Sequence, residues 1–206
     1  MECAVPKLHD GREISPATLE KLRSTILKRF AAASYQDVGI RDICAEAGVS
    51  PKTVYKYFGN KDEMLFACIQ DDLETLHLQC LQAARQYQQP LRQLSAFFEC
   101  WCDYYFERKD VAAIVFLTIP QRYWVGERSF VQAPLHRVAQ GMLSAGQREG
   151  SIADDIQADL LREWIVGLAH RAMIRFLSDA EVVPAEIKRA LLIAIQRLAS
   201  RSAAVQ

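Results

Sequence analysis

Apolar residues recur every three or four positions along most of the chain, and no stretch of useful length alternates between apolar and polar residues. The first clear stripe runs from Leu19 to Phe30 and follows Ser15 and Pro16, an N-cap residue with proline at the first helical position. The pattern predicts an all-α fold of about nine helices and no sheet. Helix 1 is expected to end near Ala33, and the further helices are expected at residues 40–46, 51–57, 61–85, 90–108, 110–118, 128–148, 155–178 and 184–200.

The stretch GVSPKTVYKYFGNK, residues 48–61, predicts a very short helix with a boundary signal at each end. Ser50 is suited to cap this helix, and Pro51 is suited to its first turn. Gly59 is suited to end it in the left-handed conformation. Asn60 is then suited to cap the next helix, with Glu63 three residues later as in a capping box. The helix between these signals is about two turns long.

The two sides of this short helix differ in chemistry. At about 100° per residue, Val54 and Phe58 fall on one side, and Lys52 and Lys56 fall on the opposite side. We expect the apolar side to pack against the preceding helix and helix 1, leaving the lysines and the tyrosyl hydroxyls exposed. The flanking positions are Pro51, Thr53, Tyr55 and Tyr57.

The preceding residues, IRDICAEAGVS, predict a helix with Ile43 and Ala47 on its inner side, followed by a tight Ala-Gly-Val turn. A helix, a short turn containing glycine and a second helix form a helix-turn-helix, whose second helix lies in the DNA major groove. Lysines and hydroxyls bind phosphates, and lysine also reads guanine edges. The alternative is that Lys52 and Lys56 only solubilise an exposed face while the tyrosines fill the core. The turn and the two helix boundaries around them favour DNA binding.

The overall charge indicates no partner, because the chain has 25 Lys and Arg against 25 Asp and Glu. The distribution is more informative. Residues 1–61 contain ten Lys and Arg against seven Asp and Glu, whereas residues 62–110 contain four against nine. The first part of the chain is therefore mildly basic, which agrees with a polyanionic partner but is weak support by itself.

No targeting or membrane segment is recognisable in the sequence. The first 16 residues contain no apolar run typical of a secretory signal, and the apolar run at residues 111–119 is about half as long as a membrane-spanning helix. We expect a cytoplasmic protein with no membrane partner, no metal and no cofactor. The six cysteines include no Cys-x-x-Cys and are expected to be buried small residues. Cys100 and Cys102 leave a thiol sensor or metal site open, although residues two apart on a helix point away from each other.

Several motifs in residues 30–65 stand in a fixed register: Phe30 at the end of helix 1, Arg41-Asp-Ile-Cys in the second helix, the AGVS turn, and VYKYF followed by Lys61 and an acidic-apolar run. This segment resembles the DNA-binding domain of the TetR (tetracycline repressor-like) family of bacterial transcriptional regulators. The resemblance implies an N-terminal three-helix helix-turn-helix domain in residues 1–60 and a connecting helix in residues 61–85. It also implies a C-terminal helical bundle in residues 86–206 for effector binding and dimerisation.

The resemblance implies DNA contacts at Arg41, Ser50, Pro51, Lys52, Thr53, Tyr55, Lys56, Tyr57 and Lys61. By the same resemblance, Arg41 reaches bases or phosphates, and Tyr55 and Tyr57 clamp the DNA backbone. Lys61 binds a phosphate where the helix dipole assists. Two positions depart from the family pattern. Gly39 stands where the family commonly has a Thr or Ser hydroxyl, and Ser34 stands where it often has glycine.

The resemblance also implies a small effector in the C-terminal bundle and a homodimer formed through the last two helices. Candidate effector-pocket residues are the aromatic side chains Phe97, Trp101, Tyr104, Tyr105, Tyr123 and Trp124. Candidate dimer contacts lie on two apolar stripes, Leu161, Ile165, Leu168, Ala172 and Phe176 on one helix and Ile187, Leu191 and Ile195 on the last. The alternative is that both stripes only complete the core of a single chain.

We therefore expect a homodimeric repressor, released by a ligand, that binds a pseudopalindromic double-stranded operator and has no catalytic residues. One alternative is a helical-bundle metal enzyme, because Glu74 and His77 have the Glu-x-x-His spacing of di-iron bundles. Such a site needs a second copy, and no other histidine has a glutamate three residues earlier. A second alternative is an interaction module that has lost DNA binding.

Overall fold

The computed structural model describes residues 14–119 and 132–200, and within these ranges all regular secondary structure is helical. The described residues contain nine α-helices and no strand, which confirms the predicted fold class. A π-helical turn, Ile114–Thr118, continues directly from the sixth helix. The helices are α1 Pro16–Ala32, α2 Ile40–Ala47, α3 Pro51–Phe58, α4 Lys61–Arg85, α5 Pro90–Glu107, α6 Lys109–Ala113, α7 Ala133–Glu149, α8 Ala158–Ser178 and α9 Pro184–Ala199.

Most helix boundaries agree closely with the sequence prediction, and two differences have a structural basis. The helix expected at residues 110–118 is divided between α6 and the π-helical turn. Helix α8 begins at Ala158 instead of residue 155, because Gln147 Nε2 donates to the carbonyls of Ala153 and Ile156, at 2.7 Å each, and holds this segment outside the helix. The start predicted for helix 7, at residue 128, lies outside the described residues.

The predicted helix boundaries depend on local hydrogen bonds. A side-chain oxygen of each predicted N-cap accepts from the backbone N–H three residues later, at 3.2 Å for Ser15, 3.1 Å for Ser50 and 2.9 Å for Asn60. Gly48 and Gly59 end α2 and α3 with φ angles of 75° and 85°, which glycine adopts without steric cost. Each N-cap stabilises its helix by about 1 kcal/mol. The short α3 is thus limited to its two turns from both ends.

The first three helices share one apolar core with the start of α4. Phe30 of α1, Ile43 of α2, and Val54 and Phe58 of α3 are all buried there. Burying such a side chain stabilises the fold by about 1.5–3 kcal/mol. This confirms the expectation that Val54 and Phe58 attach α3 to the helices behind it.

The remaining helices form a bundle around α5, which packs against α4, α7 and α9, while α8 packs against α7 and α9. Its centre is aromatic. The Tyr105 ring lies 5.1 Å from the Trp101 ring and 4.9 Å from the Phe116 ring, both edge to face. Within the described ranges, no helix combines the length and the apolar character needed to cross a membrane.

A buried carboxylate on α4 connects the two halves of the molecule. Asp72 lies 3.1 Å from Arg23 Nη2 of α1 and 2.6 Å from Arg108 Nη1 at the end of α5. The Tyr104 hydroxyl donates to the Asp72 carbonyl at 2.8 Å. Since α4 contributes to the helix-turn-helix core and to the bundle, the division into residues 1–60, 61–85 and 86–206 stays a prediction.

We expect Asp72→Ala to lower the free energy of unfolding by about 2–3 kcal/mol, because it leaves two arginines without their shared carboxylate. Asp71→Ala is the matched control. The Asp71 carboxylate also pairs with Arg23, at 3.2 Å, but is 75% exposed, compared with 6% for Asp72. The control substitution should lower the free energy of unfolding by less than about 1 kcal/mol. Urea unfolding at pH 7 measures both effects, and equal losses would contradict the central role of Asp72.

Candidate functional site

The outer surface of the helix-turn-helix combines cations with hydroxyl groups. Neither Arg41 nor Lys52 forms an ion pair with another described residue, so both charges are available to a polyanion. The Tyr55 side chain is 50% exposed beside them. Thr53 and Lys56 are half-buried. The exposed residues among the predicted DNA contacts are Arg41, Ser50, Pro51, Lys52 and Tyr55.

Tyr57 does not face outward as the sequence analysis expected. Only 9% of it is exposed, and its ring packs edge to face on Phe58 at 4.7 Å. Burial raises the pKa of its hydroxyl. The reason is that α3 packs against both α2 and α4, so its buried side is wider than a single apolar stripe. The structure gives Tyr57 a packing role, and its contact with DNA stays a prediction.

Lys61 lies at the start of α4, where its ammonium group contacts the loop between α1 and α2. Its Nζ donates to the Tyr35 carbonyl and lies 4.4 Å from the Tyr35 ring centroid. The Tyr35 hydroxyl in turn donates to Asp62. Burial lowers the pKa of Lys61. Lys61 therefore fixes this loop to α4, a role the sequence did not indicate, and its predicted phosphate contact remains untested.

An ion-pair cluster sets the position of α2 against α1. Glu46 of α2 lies 2.6 Å from Arg29 Nη2 and 3.2 Å from Lys28 Nζ. Hydrogen bonds from Arg29 and then Lys28 lower the pKa of the Glu46 carboxyl. Two cations of α1 are thus engaged within the domain, in contrast to Arg41 and Lys52, which form no ion pair with another described residue.

A narrow cavity lies in the bundle between α5, the π-helical turn, α7 and α8. In this conformation it has room for about one water molecule. Phe97 and Trp101, two of the predicted pocket residues, lie on its wall. The wall residues are Phe97, Phe98, Trp101, Phe116, Gln132, Leu135, His136, Ala139, Val166, Ala169 and His170.

The other predicted pocket residues lie elsewhere. Tyr104 points to α4, where its hydroxyl donates a hydrogen bond to the backbone carbonyl of Asp72. Tyr105 is fully buried behind the cavity wall, where its hydroxyl accepts from Gln132 Nε2 at 2.8 Å. Since α5 is surrounded by other helices, its aromatic residues are buried on several sides, and only one side meets the cavity. Two further candidates, Tyr123 and Trp124, lie outside the described residues.

Two histidines of the cavity wall were missed by the sequence analysis, because a single histidine on a helix gives no signal of its own. Burial lowers the pKa of His136, with a further contribution from Arg162. Burial also lowers the pKa of His170, against the effect of a hydrogen bond with the backbone of Phe116. Both imidazoles are therefore neutral at pH 7.

The π-helical turn joins the cavity wall to the DNA-binding half. The Phe116 ring lies 5.4 Å from the His170 ring, on the cavity wall. Two residues later, the buried Thr118 hydroxyl donates to the Phe30 carbonyl of α1 at 2.8 Å. One short segment thus contacts both the cavity and the end of α1.

Comparison with known proteins agrees with this arrangement. Residues 22–68, which span most of α1 through the first turns of α4, match the model of the bacterial regulatory proteins, tetR family. Over these residues the chain is similar to the tetR family. A curated relative, the HTH-type transcriptional regulator HbdR of Aromatoleum sp. (strain CIB), is 26% identical over 105 residues. This match covers 49% of the chain and 46% of the relative, so it spans about half of each protein.

Solved structures share the fold of this chain over most of its length. The transcriptional regulator FadR from Bacillus subtilis, in complex with stearoyl-CoA, superposes with a TM-score of 0.71 at 15% identity, covering 86% of this chain and 97% of FadR. RolR in complex with resorcinol superposes with a TM-score of 0.66 at 18% identity, covering 89% of this chain and 87% of RolR. At these identities the likeness concerns the fold alone.

The stripes predicted to form the dimer interface are mostly buried within the single chain. Leu161, Ile165, Phe176, Leu191 and Ile195 all lie in its core. Their burial agrees with the alternative that these stripes complete the core of one chain. Of the other candidates, Ala172 and Ile187 are half-buried, and Leu168 is exposed.

A different apolar stripe of α8 and α9 faces solvent. Leu160, Trp164 and Leu168 of α8 and Ile193 of α9 are between 38% and 46% exposed. A Cβ atom added at Gly167 would meet nothing within 4 Å, so the backbone of α8 is open to close approach there. The i, i+4, i+8 spacing of the three α8 residues is the sequence signal that could have identified this face.

Cys100 and Cys102, which were left open as a thiol sensor or metal site, have different surroundings in the structure. Cys80 of α4 and Cys100 of α5 share a hydrogen bond, which raises the pKa of Cys80 and lowers that of Cys100. Burial raises the pKa of Cys102 to about 12. In the described part of the chain, no group of three or more His, Cys, Asp or Glu residues could hold a metal ion, and this includes the surroundings of His77.

We expect the stability of the protein to fall as the pH is lowered below about 6.5, the ordinary pKa of histidine. Both cavity histidines have lowered pKa values in the folded state, so the unfolded chain binds more protons in this range. The double variant His136→Phe, His170→Phe should reduce the slope of the free energy of unfolding against pH by up to about 1.4 kcal/mol per pH unit for each histidine. Urea unfolding between pH 7 and pH 5 measures this, and identical slopes for variant and unmodified protein would contradict it.

Proposed function

We propose that this chain is a transcriptional regulator that binds double-stranded DNA as a homodimer through α2 and α3, and releases it when a small molecule occupies the bundle cavity. The observation that carries the proposal is the outer surface of the helix-turn-helix. There Arg41 and Lys52 are exposed and form no ion pair with another described residue, on helices whose apolar sides are packed against the helices behind them.

This surface differs from an ordinary basic patch because α2 and α3 are held rigidly against the rest of the domain. The apolar side of α3 is anchored by Val54 and Phe58, and Glu46 holds α2 against two cations of α1. A rigid short helix keeps its side chains in register with base edges, whereas mobile lysines provide only non-specific attraction. We infer that α3 reads the major groove and that α2 lies across the DNA backbone.

The rival functions have less support. The metal-enzyme alternative depends on one Glu-x-x-His pair, and the relatives of this chain are named as regulators. An interaction module without DNA binding would have no need for Arg41 and Lys52 on the outer surface of the motif, exposed and without an ion pair to any other residue that the structure describes. We propose repression because of the resemblance to this family, and a pseudopalindromic operator because a dimer is symmetric.

Effector control is supported by the continuity between the cavity and α1. FadR and RolR, two neighbours of this fold, are described in complex with stearoyl-CoA and resorcinol. In this chain, a ligand that pushes Phe116 outward would also displace Thr118, which holds the Phe30 carbonyl of α1. Because α1 supports α2 and α3, this displacement would change the position of the DNA-reading surface.

The dimer is supported by the exposed apolar face of α8 and α9. This face centres on Trp164 and Leu168, with Gly167 between them leaving space for a partner helix. Exposed aromatic and leucine side chains grouped beside a bare glycine are typical of a helix-packing interface. We propose that two copies pack α8 and α9 into a four-helix interface, using this face instead of the buried stripes.

The DNA-binding proposal is tested with a duplex selected by the protein from a random DNA pool. We expect the affinity to fall steeply between about 50 and 200 mM salt, because bound phosphates release counterions. Lys52→Ala should weaken binding by about tenfold or more and relax the preference at one base position. Fluorescence anisotropy across a salt series measures both effects.

The matched control is Arg92→Ala, which removes the same charge from an exposed position on α5, outside the helix-turn-helix. It should leave DNA affinity and base preference unchanged. A flat salt dependence, or an equal loss for Lys52→Ala and Arg92→Ala, would exclude α3 as the reading helix.

The dimer proposal is tested by placing a long side chain at Gly167. We expect Gly167→Arg to give a folded monomer, because the new side chain occupies the space of the partner helix. The control is Gly141→Arg on α7, where an added Cβ also meets nothing within 4 Å. It should remain dimeric. Sedimentation equilibrium reports the mass, and a dimeric Gly167→Arg variant would rule out this interface.

A further inference from the structure

The described wall of the bundle cavity combines two kinds of side chain, aromatic and neutral hydrogen-bonding. The aromatic side chains are Phe97, Phe98 and Trp101 of α5 and Phe116 of the π-helical turn. Adjacent rings stand edge to face, with Phe116 at 5.6 Å and Phe98 at 6.1 Å from the Trp101 ring. Rings arranged in this way offer faces and edges to a flat apolar molecule.

The other kind of side chain offers neutral hydrogen-bonding groups. His136 comes from the first turn of α7 and His170 from the middle of α8, and Gln132 lies at the start of α7. Gln132 is held in place by its bond to the Tyr105 hydroxyl, and His170 by its bond to the Phe116 backbone. A neutral imidazole has one donor and one acceptor nitrogen, so it pairs well with a hydroxyl or a carbonyl group.

Among the described residues of the cavity wall, none is Lys, Arg, Asp or Glu. The charged groups that affect His136 are Arg162 and Glu163 of α8, which are outside the wall. A carboxylate or phosphate brought into such an environment loses its hydration without gaining a counter-charge, which disfavours it strongly. The described part of the wall therefore disfavours anionic ligands.

We propose that the cavity binds an uncharged molecule with a flat aromatic body and a hydroxyl group, the ring packing on Trp101 and Phe116 and the hydroxyl bonding to His136 and His170. This inference rests on the proposed regulatory function and specifies the chemistry of its effector. Because the cavity is narrow, the ligand enters by displacing wall side chains, and Phe116 is the wall residue that connects to α1 through Thr118.

The test uses three probes of similar size that differ in one group: toluene has no hydrogen-bonding group, phenol has a hydroxyl and benzoate has a negative charge. Binding to the full chain is measured by isothermal titration calorimetry at pH 7.5 without DNA. We expect phenol to bind about tenfold or more tightly than either of the others, since its hydroxyl pairs with an imidazole while benzoate is desolvated without a partner.

The double variant His136→Phe, His170→Phe should bind toluene at least as well as the unmodified protein and lose most of the preference for phenol. Tyr87→Phe removes a hydroxyl from an exposed ring outside the wall and should leave the preference intact. Thermal unfolding of each variant verifies that it is folded. Equal binding of phenol and toluene, tighter binding of benzoate, binding of no probe, or a preference unchanged in the double variant would each overturn the proposal.

A separate measurement distinguishes this inference from the proposed function. If phenol binds in the cavity but does not weaken binding to the selected DNA, the ligand chemistry stands and effector-controlled release is wrong. If the protein binds its selected DNA but none of the three probes shows the expected preference, DNA binding stands and the ligand chemistry is wrong.

Discussion

The arrangement of this molecule depends on one buried carboxylate. Asp72 lies in the middle of α4, and a buried carboxylate is tolerated only when it is paired. Its partners come from opposite sides, Arg23 from the DNA-binding half and Arg108 from the bundle. Neither half can rotate about α4 without separating this carboxylate from an arginine. The position of α2 and α3 is therefore set by the bundle as well as by their own small core.

The π-helical turn is the second connection between the halves, and it differs from the first in what it can transmit. Asp72 holds α1 and the end of α5 at a fixed distance from α4. The π-helical turn instead contacts the cavity with the Phe116 ring and α1 with the Thr118 hydroxyl. Irregular turns of this kind often occur at functional sites, because they are more easily rearranged than a regular helix. A ligand-dependent regulator needs both kinds of connection. A ligand changes the DNA-binding half only if one connection can move while the other keeps the two halves together.

The sequence predicted those features that depend on neighbours along the chain, such as the caps at Ser50 and Asn60 and the apolar side of α3. It failed where several helices meet. The burial of Tyr57 requires knowing that α4 packs beside α3, and the loop contact of Lys61 joins residues distant in sequence. The pairing of Asp72 and the cavity histidines depend in the same way on three-dimensional packing. Periodicity identifies an apolar stripe, but it does not tell whether the stripe faces its own chain or a partner.

Helix α8 shows why that last distinction matters for function. Its inner side carries His170 and Ala169 on the cavity wall, and its outer side carries Trp164 and Leu168 on the proposed dimer face. A helix is about 10 Å across, so a ligand in the cavity would lie one helix diameter from the partner subunit. A dimeric reader fits its operator only at a fixed spacing between its two recognition helices, about one turn of DNA. Any ligand that displaces α8 would therefore act twice, through the π-helical turn within one chain and through the spacing between two.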